Sequence, residues 1–239
     1  MKFTIPVIVF AFLATLSSCK KDELTLPADV TFSFGMLPVY VDGTLVDRGY
    51  EDNSASNFFT IDKGFLAIEA IEFDGRRDEG KDVFFISDLG KQILADLESE
   101  STNIDVRFDV PQGVYNRIDV TLHLCSDKDA SLILEGVMSW GNQNSAPIRF
   151  EYCYADQVRV RAKPRSGNSI VLQKDKLSKA RVELDAQFMF RFINPGVLSE
   201  ATLVKIDGQD VLLINSKNNI SIFNQIANRL GNSFSVVFE

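Results

Sequence analysis

The chain has 239 residues, 45% of them hydrophobic, and a formal net charge of −8. This apolar fraction supports a buried core and argues against a disordered chain. The acidic balance argues against nucleic acid as a partner, because nucleic acid binds a concentrated basic face. The 19 phenylalanines, against five tyrosines and one tryptophan, favour half-buried β-sheet surfaces.

Residues 1–19 have the features of a lipoprotein signal peptide rather than of a folded element. Lys2 supplies a positive charge, and the apolar run Phe3–Thr15 is too short to span a bilayer as a helix. The following Leu16-Ser17-Ser18-Cys19 resembles the lipobox of bacterial lipoproteins. This resemblance implies cleavage before Cys19 and attachment of fatty acyl chains such as palmitate, which would anchor the protein in a membrane. An ordinary secretory signal with an incidental cysteine is the alternative.

Residues 20–29 are predicted to form a tether between the lipid and the folded part. The run Lys20–Glu23 contains lysines followed by two acids, and it resembles the export signal of surface-exposed lipoproteins in Bacteroides-type bacteria. A solvated tether without such a signal is the alternative. Together with the lipobox, the resemblance implies a lipid-anchored protein of the outer membrane that faces the cell exterior.

Residues 30–126 are predicted to form an N-terminal β-sandwich. Asp42-Gly43, between β-forming residues, predicts a hairpin with a two-residue turn. Residues 89–97 fit either a helical stripe or an edge strand.

The apolar alternation in Phe58–Phe73 changes phase partway along the segment. Leu66 and Ile68 lie in one phase, whereas Ile71 and Phe73 lie in the other. A β-bulge near Ala70 would bring both pairs to one face, and a strand buried on both sides is the alternative.

Residues 104–124 predict a β-hairpin, because two runs of alternating apolar and polar residues flank a turn. Pro111 cannot donate a backbone hydrogen bond and would end the first strand, and Gly113 can supply a positive φ in the turn. The polar break at residues 126–130 is the predicted domain boundary, although one large β domain remains the alternative.

Residues 127–239 are predicted to form a second β-rich region. Strict alternation over Arg181–Ile193 predicts a strand. The one predicted helix covers residues 219–230, where Ile220, Phe223 and Ile226 share a stripe and Gly231 would stand at the C-cap.

The run from Pro111 to Tyr115 resembles the P-x-G-x-Y turn of β-sandwich domains in uncharacterised bacterial lipoproteins and in transthyretin-like or immunoglobulin-like modules. Pro111, Gly113 and Tyr115 carry this resemblance. It implies an antiparallel β-sandwich within a Bacteroides-type surface lipoprotein, and it implies no reaction. Fimbrial subunits of the same bacteria use related sandwiches, which implies an assembly role.

Cys125 and Cys153 remain once Cys19 is lipidated, and both fall in the polar phase of their predicted strands. If these strands are neighbours, a disulfide between Cys125 and Cys153 is feasible in an oxidising compartment, and two free thiols are the alternative. Two cysteines and the single His123 are too few for a zinc site.

The sequence contains no nucleotide-binding or metalloprotease motif, and no cofactor is predicted. The acids of residues 74–82 could hold calcium, but the interspersed Arg76, Arg77 and Lys81 favour a salt-bridged surface loop. The basic set Arg159, Arg161, Lys163 and Arg165 is interpreted as a solvated strand face.

We therefore expect a non-catalytic binding or assembly module, with a surface protein or a glycan as its partner. Trp140, beside polar amides, is the candidate glycan contact, and a tryptophan that only caps the sandwich core is the alternative. A hydrolase that uses paired carboxylates is a further alternative, because the separation of acids is invisible in sequence.

Overall fold

The computed structural model describes residues 25–37, 40–41, 44–45, 59–87, 90–125, 130–140, 144–191 and 193–239. The strands in chain order are β1 Pro27–Met36, β2 Tyr40–Val41, β3 Thr44–Leu45, β4 Phe59–Arg77, β5 Val83–Ile86, β6 Ile93–Asp96, β7 Ser101–Thr102, β8 Arg107–Pro111, β9 Gly113–Leu124, β10 Leu132–Trp140, β11 Asn144–Tyr152, β12 Gln157–Arg161, β13 Lys163–Pro164, β14 Ile170–Leu172, β15 Ser178–Leu184, β16 Val204–Ile206, β17 Gln209–Ile214 and β18 Phe234–Phe238. The helices are α1 Ala186–Phe190, α2 Pro195–Ser199 and α3 Ile220–Ala227, followed by a 3₁₀ turn at Leu230–Asn232.

The predicted mostly-β, sandwich-like fold is confirmed. A smaller sheet has the strand order β13-β18-β15-β1-β8, and a larger sheet has the order β12-β9-β4-β10-β11-β17-β16, with β5, β6, β7 and β14 attached. Apolar residues of both sheets, among them Phe34 of β1 and Phe73 of β4, belong to one buried core. Most pairs are antiparallel, and β1–β15, β11–β17 and β13–β18 are parallel. In the ranges that the structure describes, no helix is long and apolar enough to cross a membrane.

Strand β4 is the central strand of the larger sheet and pairs with β5, β6, β9 and β10. Ala67 donates its N–H to Ser131 and accepts at its carbonyl from Cys125, so β9 and β10 follow one another along the same side of β4. Strands β5 and β6 pair along the other side. The register between β4 and β9 shifts between Ile68 and Ala70. The predicted bulge is confirmed, because Leu66, Ile68, Ile71 and Phe73 are all buried.

The sheets cross the predicted domain boundary at residue 126. Strand β4 pairs with β10, β9 with β12, and β1 with β15, so strands on the two sides of the break complete the same sheets. The division into 30–126 and 127–239 therefore does not separate two sandwiches. The tether also ends earlier than predicted: β1 begins at Pro27, where it pairs with Pro111, because the alternating apolar residues Ala28 and Val30 are buried.

The predicted hairpin of residues 104–124 is wrong. Strand β8 pairs with β1 in the smaller sheet, whereas β9 pairs with β4, β12 and β14 in the larger one. The intervening Pro111-Gln112-Gly113 is thus a corner between the two sheets. Gly113 has a φ of 151°, which L side chains rarely adopt, so its predicted positive φ is confirmed.

The alternating run Arg181–Ile193 is a strand only as far as Leu184. The side chain of Asp185 accepts a hydrogen bond from the backbone N–H of Phe188, and this cap starts helix α1. Met189 and Phe190, which alternate sides in a strand, are both buried in the helix. The prediction of a continuous strand was wrong because the same residues also carry a helical apolar face.

The C-terminal helix is confirmed as α3, which covers eight of the predicted twelve residues. Its C-cap is Asn228, and Gly231 lies in the following 3₁₀ turn, so the predicted glycine cap is wrong. Ile220 is exposed, whereas Phe223 and Ile226 are buried.

Two other local predictions are resolved. Residues 93–96 form a strand, which decides the alternatives at residues 89–97 in favour of a strand. It is not an edge strand, because β6 pairs with β4 on one side and with β7 on the other. Strands β2 and β3 pair as the predicted hairpin requires, and Asp42-Gly43 itself lies outside the described residues.

Candidate functional site

The P-x-G-x-Y run forms a structural corner. Tyr115 is fully buried, and its hydroxyl donates a 2.6 Å hydrogen bond to the carbonyl oxygen of Pro111. Its ring meets Phe73 edge-on at 6.0 Å. Burial raises the pKa of Tyr115, and this effect exceeds the lowering by the nearby Arg77 guanidinium, so that the pKa is about 12. This buried hydrogen bond stabilises the corner, and the hydroxyl is not accessible to a ligand.

Two predicted site residues cannot be placed as sites. Cys19 lies outside the described residues, so its lipidation stays a prediction. The backbone of Trp140 ends β10 opposite Asn144, while its side chain and residues 141–143 lie outside the described part. The glycan contact at Trp140 therefore also stays a prediction.

Cys125 and Cys153 are free cysteines. Cys125 is buried, contrary to the predicted outward orientation, because the chain leaves β9 at this point to bond with Ala67. Cys153 is exposed just beyond β11. Strand β9 pairs with β4, β12 and β14, whereas β11 pairs with β10 and β17. The two strands are therefore not neighbours, which the predicted disulfide required.

Three acidic residues of the 74–82 segment, Asp74, Asp78 and Asp82, contact basic or amide side chains. Arg76 bonds to Asp82 and lies 3.6 Å from a carboxylate oxygen of Asp74. Asp78 accepts from the side-chain amide of Asn116. Across the described ranges, no group of three or more metal-binding side chains is assembled.

The outer face of β9 and β12 carries three arginines that converge on one buried carboxylate. We call Arg117, Arg159 and Arg161 the arginine cluster. Arg117 Nε and Arg159 Nη2 lie 3.0 and 2.8 Å from Oδ2 of Asp119, and Arg161 Nε lies 3.2 Å from Oδ1. The Asp119 side chain is 4% exposed, while those of the three arginines are 41–65% exposed. The arginines thus cover the carboxylate from solvent.

The sheet register builds this arrangement. Asp119 of β9 lies opposite Arg161 of β12 on one side and Asp74 of β4 on the other. Burial alone would raise the pKa of Asp119, but hydrogen bonds from the arginine cluster outweigh it and lower the pKa to about 2. Asp119 is therefore a permanent anion at neutral pH.

The polar network continues onto β4. Arg159 Nη2 also donates to Asp74 at 3.0 Å. Glu72 lies two residues before Asp74 on β4, and its Oε2 is 3.5 Å from His123 Nε2, without hydrogen-bond geometry. His123 Nδ1 lies 3.4 Å from the Gln157 amide nitrogen. A histidine with these neighbours has no nucleophile to activate among the described residues.

Strand β5 presents an apolar edge beside this network. Phe84 and Ile86 are 64% and 52% exposed, and they lie opposite Asp74 and Glu72 of β4. Ser87 donates its N–H to Ile71 of β4, so by antiparallel alternation the backbone groups of Phe84 and Ile86 face away from β4. Among the described strands, β5 pairs with β4 alone. The edge therefore offers both backbone hydrogen-bonding groups and apolar side chains.

Sequence reasoning placed Arg159 and Arg161 on a solvated strand face and did not connect them with Arg117 or Asp119. The alternation signal put all four on the polar phase of their strands, but only the pairing of β9 with β12 brings them together. Comparison of the chain with protein-family models, with curated proteins and with solved structures finds no match.

Proposed function

We propose that this protein is a non-catalytic, lipid-anchored component of the bacterial outer membrane that faces the exterior. In this proposal it joins a protein partner by accepting a strand at the edge of β5. The lipobox resemblance at Cys19 supports the anchor, and the charged run Lys20–Glu23 supports export to the outer surface.

The observation that carries the binding role is that β5 pairs with β4 alone among the strands that the structure describes. Exposed edge strands are templates for pairing with another chain, and natural proteins usually protect them with charges, prolines or bulges. The residues Val83–Ile86 carry none of these devices. Strand addition at such an edge gains main-chain hydrogen bonds, and apolar side chains such as Phe84 and Ile86 add specificity.

The binding role is tested by photo-crosslinking in intact cells that produce the full-length protein. A benzophenone amino acid at Ile86 should give a discrete protein adduct, whereas the same group at Leu177, which is 51% exposed before β15, should not. Adding Phe84→Lys should abolish the Ile86 adduct, because a charge on the edge opposes strand addition. The same adduct from both positions, or none from Ile86, would contradict the proposal.

The anchor is tested separately by metabolic labelling with an alkyne-bearing fatty acid. The wild-type protein should be labelled and should sediment with outer membranes, and Cys19→Ser should lose both properties. Protease treatment of intact cells then reports the direction in which the protein faces. Unlabelled wild-type protein would contradict the lipoprotein assignment and leave the β5 test unaffected.

A further inference from the structure

We propose that the arginine cluster binds a compact oxyanion, a phosphate or a sulfate, either as the free ion or as a substituent of a sugar. The site is the outer face of β9 and β12 around Asp119. This inference does not depend on the β5 edge or on the lipid anchor.

The cluster has hydrogen-bond donors to spare. Asp119 engages Nε and Nη2 of Arg117 and of Arg159, but only Nε of Arg161. Within the part of the chain that the structure describes, Nη1 of Arg117, Nη1 of Arg159 and both terminal nitrogens of Arg161 have no hydrogen-bond partner. These donors belong to side chains that are about half exposed, so a ligand can reach them from solvent.

The local charge favours an anion although the whole chain is acidic. Three guanidinium groups surround the single carboxylate of Asp119, and the next acid, Asp74, is shared with Arg76. Because Asp119 is buried and fully ionised, it holds the three guanidinium groups in place before any ligand arrives. A preorganised set of donors lowers the conformational cost of binding.

The chemistry of the donors selects the ligand class. Guanidinium groups match oxyanions through paired N–H donors, and several of them on adjacent strands, about 5 Å apart, suit an ion with three accessible oxygens. A flat anionic bilayer is a poorer fit, because the net charge of −8 opposes approach of the whole protein to such a surface. An individual oxyanion avoids that repulsion.

Isothermal titration calorimetry on the full-length protein in detergent, at fixed ionic strength, tests the site. The probes are inorganic phosphate, inorganic sulfate, glucose 6-phosphate, glucose 6-sulfate and unsubstituted glucose. We expect saturable binding of the oxyanion-bearing probes and none of glucose. Tighter binding of the substituted sugars than of the free ions would assign the site to a glycan, and the reverse order would assign it to the free ion.

The matched variants are Arg161→Gln and Arg165→Gln. Arg161 is 65% exposed and Arg165 is 70% exposed in an ion pair with Glu239, so both variants should fold. Arg161→Gln should weaken oxyanion binding at least tenfold, and Arg165→Gln should change it less than twofold. Absence of saturable oxyanion binding, or equal losses in the two variants, would overturn the proposal.

Discussion

The hydroxyl of Tyr115 reaches back four residues to the carbonyl of Pro111, and this 2.6 Å bond spans the point where the chain passes from one sheet to the other. The bond gives the P-x-G-x-Y spacing a physical meaning. Pro111 is the last residue of β8, and Gly113 takes the φ of 151° that the corner needs. The buried hydroxyl of Tyr115 then donates a hydrogen bond to the Pro111 carbonyl from within the core.

Tyr115→Phe should destabilise the fold. The variant keeps the buried ring but leaves the Pro111 carbonyl without its donor, which should cost about 1–2 kcal/mol in the free energy of unfolding. Urea denaturation at pH 7 measures the change. Tyr154→Phe is the control, because that side chain is 46% exposed and its removal of a hydroxyl should be nearly neutral. Equal effects of the two substitutions would argue against the corner.

The same tyrosine should make stability fall at alkaline pH. An unfolded tyrosine has a pKa near 10, whereas the pKa of Tyr115 in the fold is about 12. Its stabilising contribution is complete below pH 10 and is lost as pH rises through 12, because only the unfolded chain ionises in that interval. The difference in free energy of unfolding between wild type and Tyr115→Phe should therefore narrow between pH 10 and pH 11.5. A difference that stays constant over this range would contradict the raised pKa.

Asp119 should make stability fall at acidic pH, whereas Tyr115 makes it fall at alkaline pH. Its pKa of about 2 in the fold is below the unfolded value, so its contribution is present above pH 4 and is lost as pH falls towards 2. Asp119→Asn should cost about 1–2 kcal/mol at pH 7, allowing for solvent screening at the half-exposed arginines, and much less at pH 2.5. Chemical denaturation at the two pH values measures this. Asp109→Asn, at an exposed position of β8, is the control and should change the free energy of unfolding little at pH 7.

Local patterns predicted the individual strands well, because burial on one face leaves a period-two signal. The bulge in β4 was accessible for the same reason: the phase change between Ile68 and Ile71 has few other structural solutions. The pairing of the strands was not accessible. A proline-glycine turn between two alternating runs describes a hairpin and a sheet-to-sheet corner equally well, and only the position of β1 beside β8 decides between them.

The arginine cluster was beyond sequence reasoning for a related reason. Arg117 and Asp119 are separated from Arg159 and Arg161 by about 40 positions, and their convergence depends on the register of β9 against β12. Local competition explains the error at Asp185, where a capping side chain overrode the alternating pattern of the residues that follow.

Gly136 is the position at which the larger sheet should tolerate a side chain least. The register between β10 and β4 shifts between Glu135 and Gly136, and a Cβ at Gly136 would lie 1.9 Å from the carbonyl oxygen of Thr60. Because the obstacle is backbone, Gly136→Ala must push two strands apart, at an expected cost of about 3 kcal/mol or more. Gly231→Ala is the control, since nothing lies within 4 Å of its Cβ. Thermal unfolding should give a lower midpoint for Gly136→Ala, or no folded protein, and an unchanged midpoint for Gly231→Ala. A wild-type midpoint for Gly136→Ala would mean that β4 and β10 do not approach this closely, and it would contradict the register shift at Gly136.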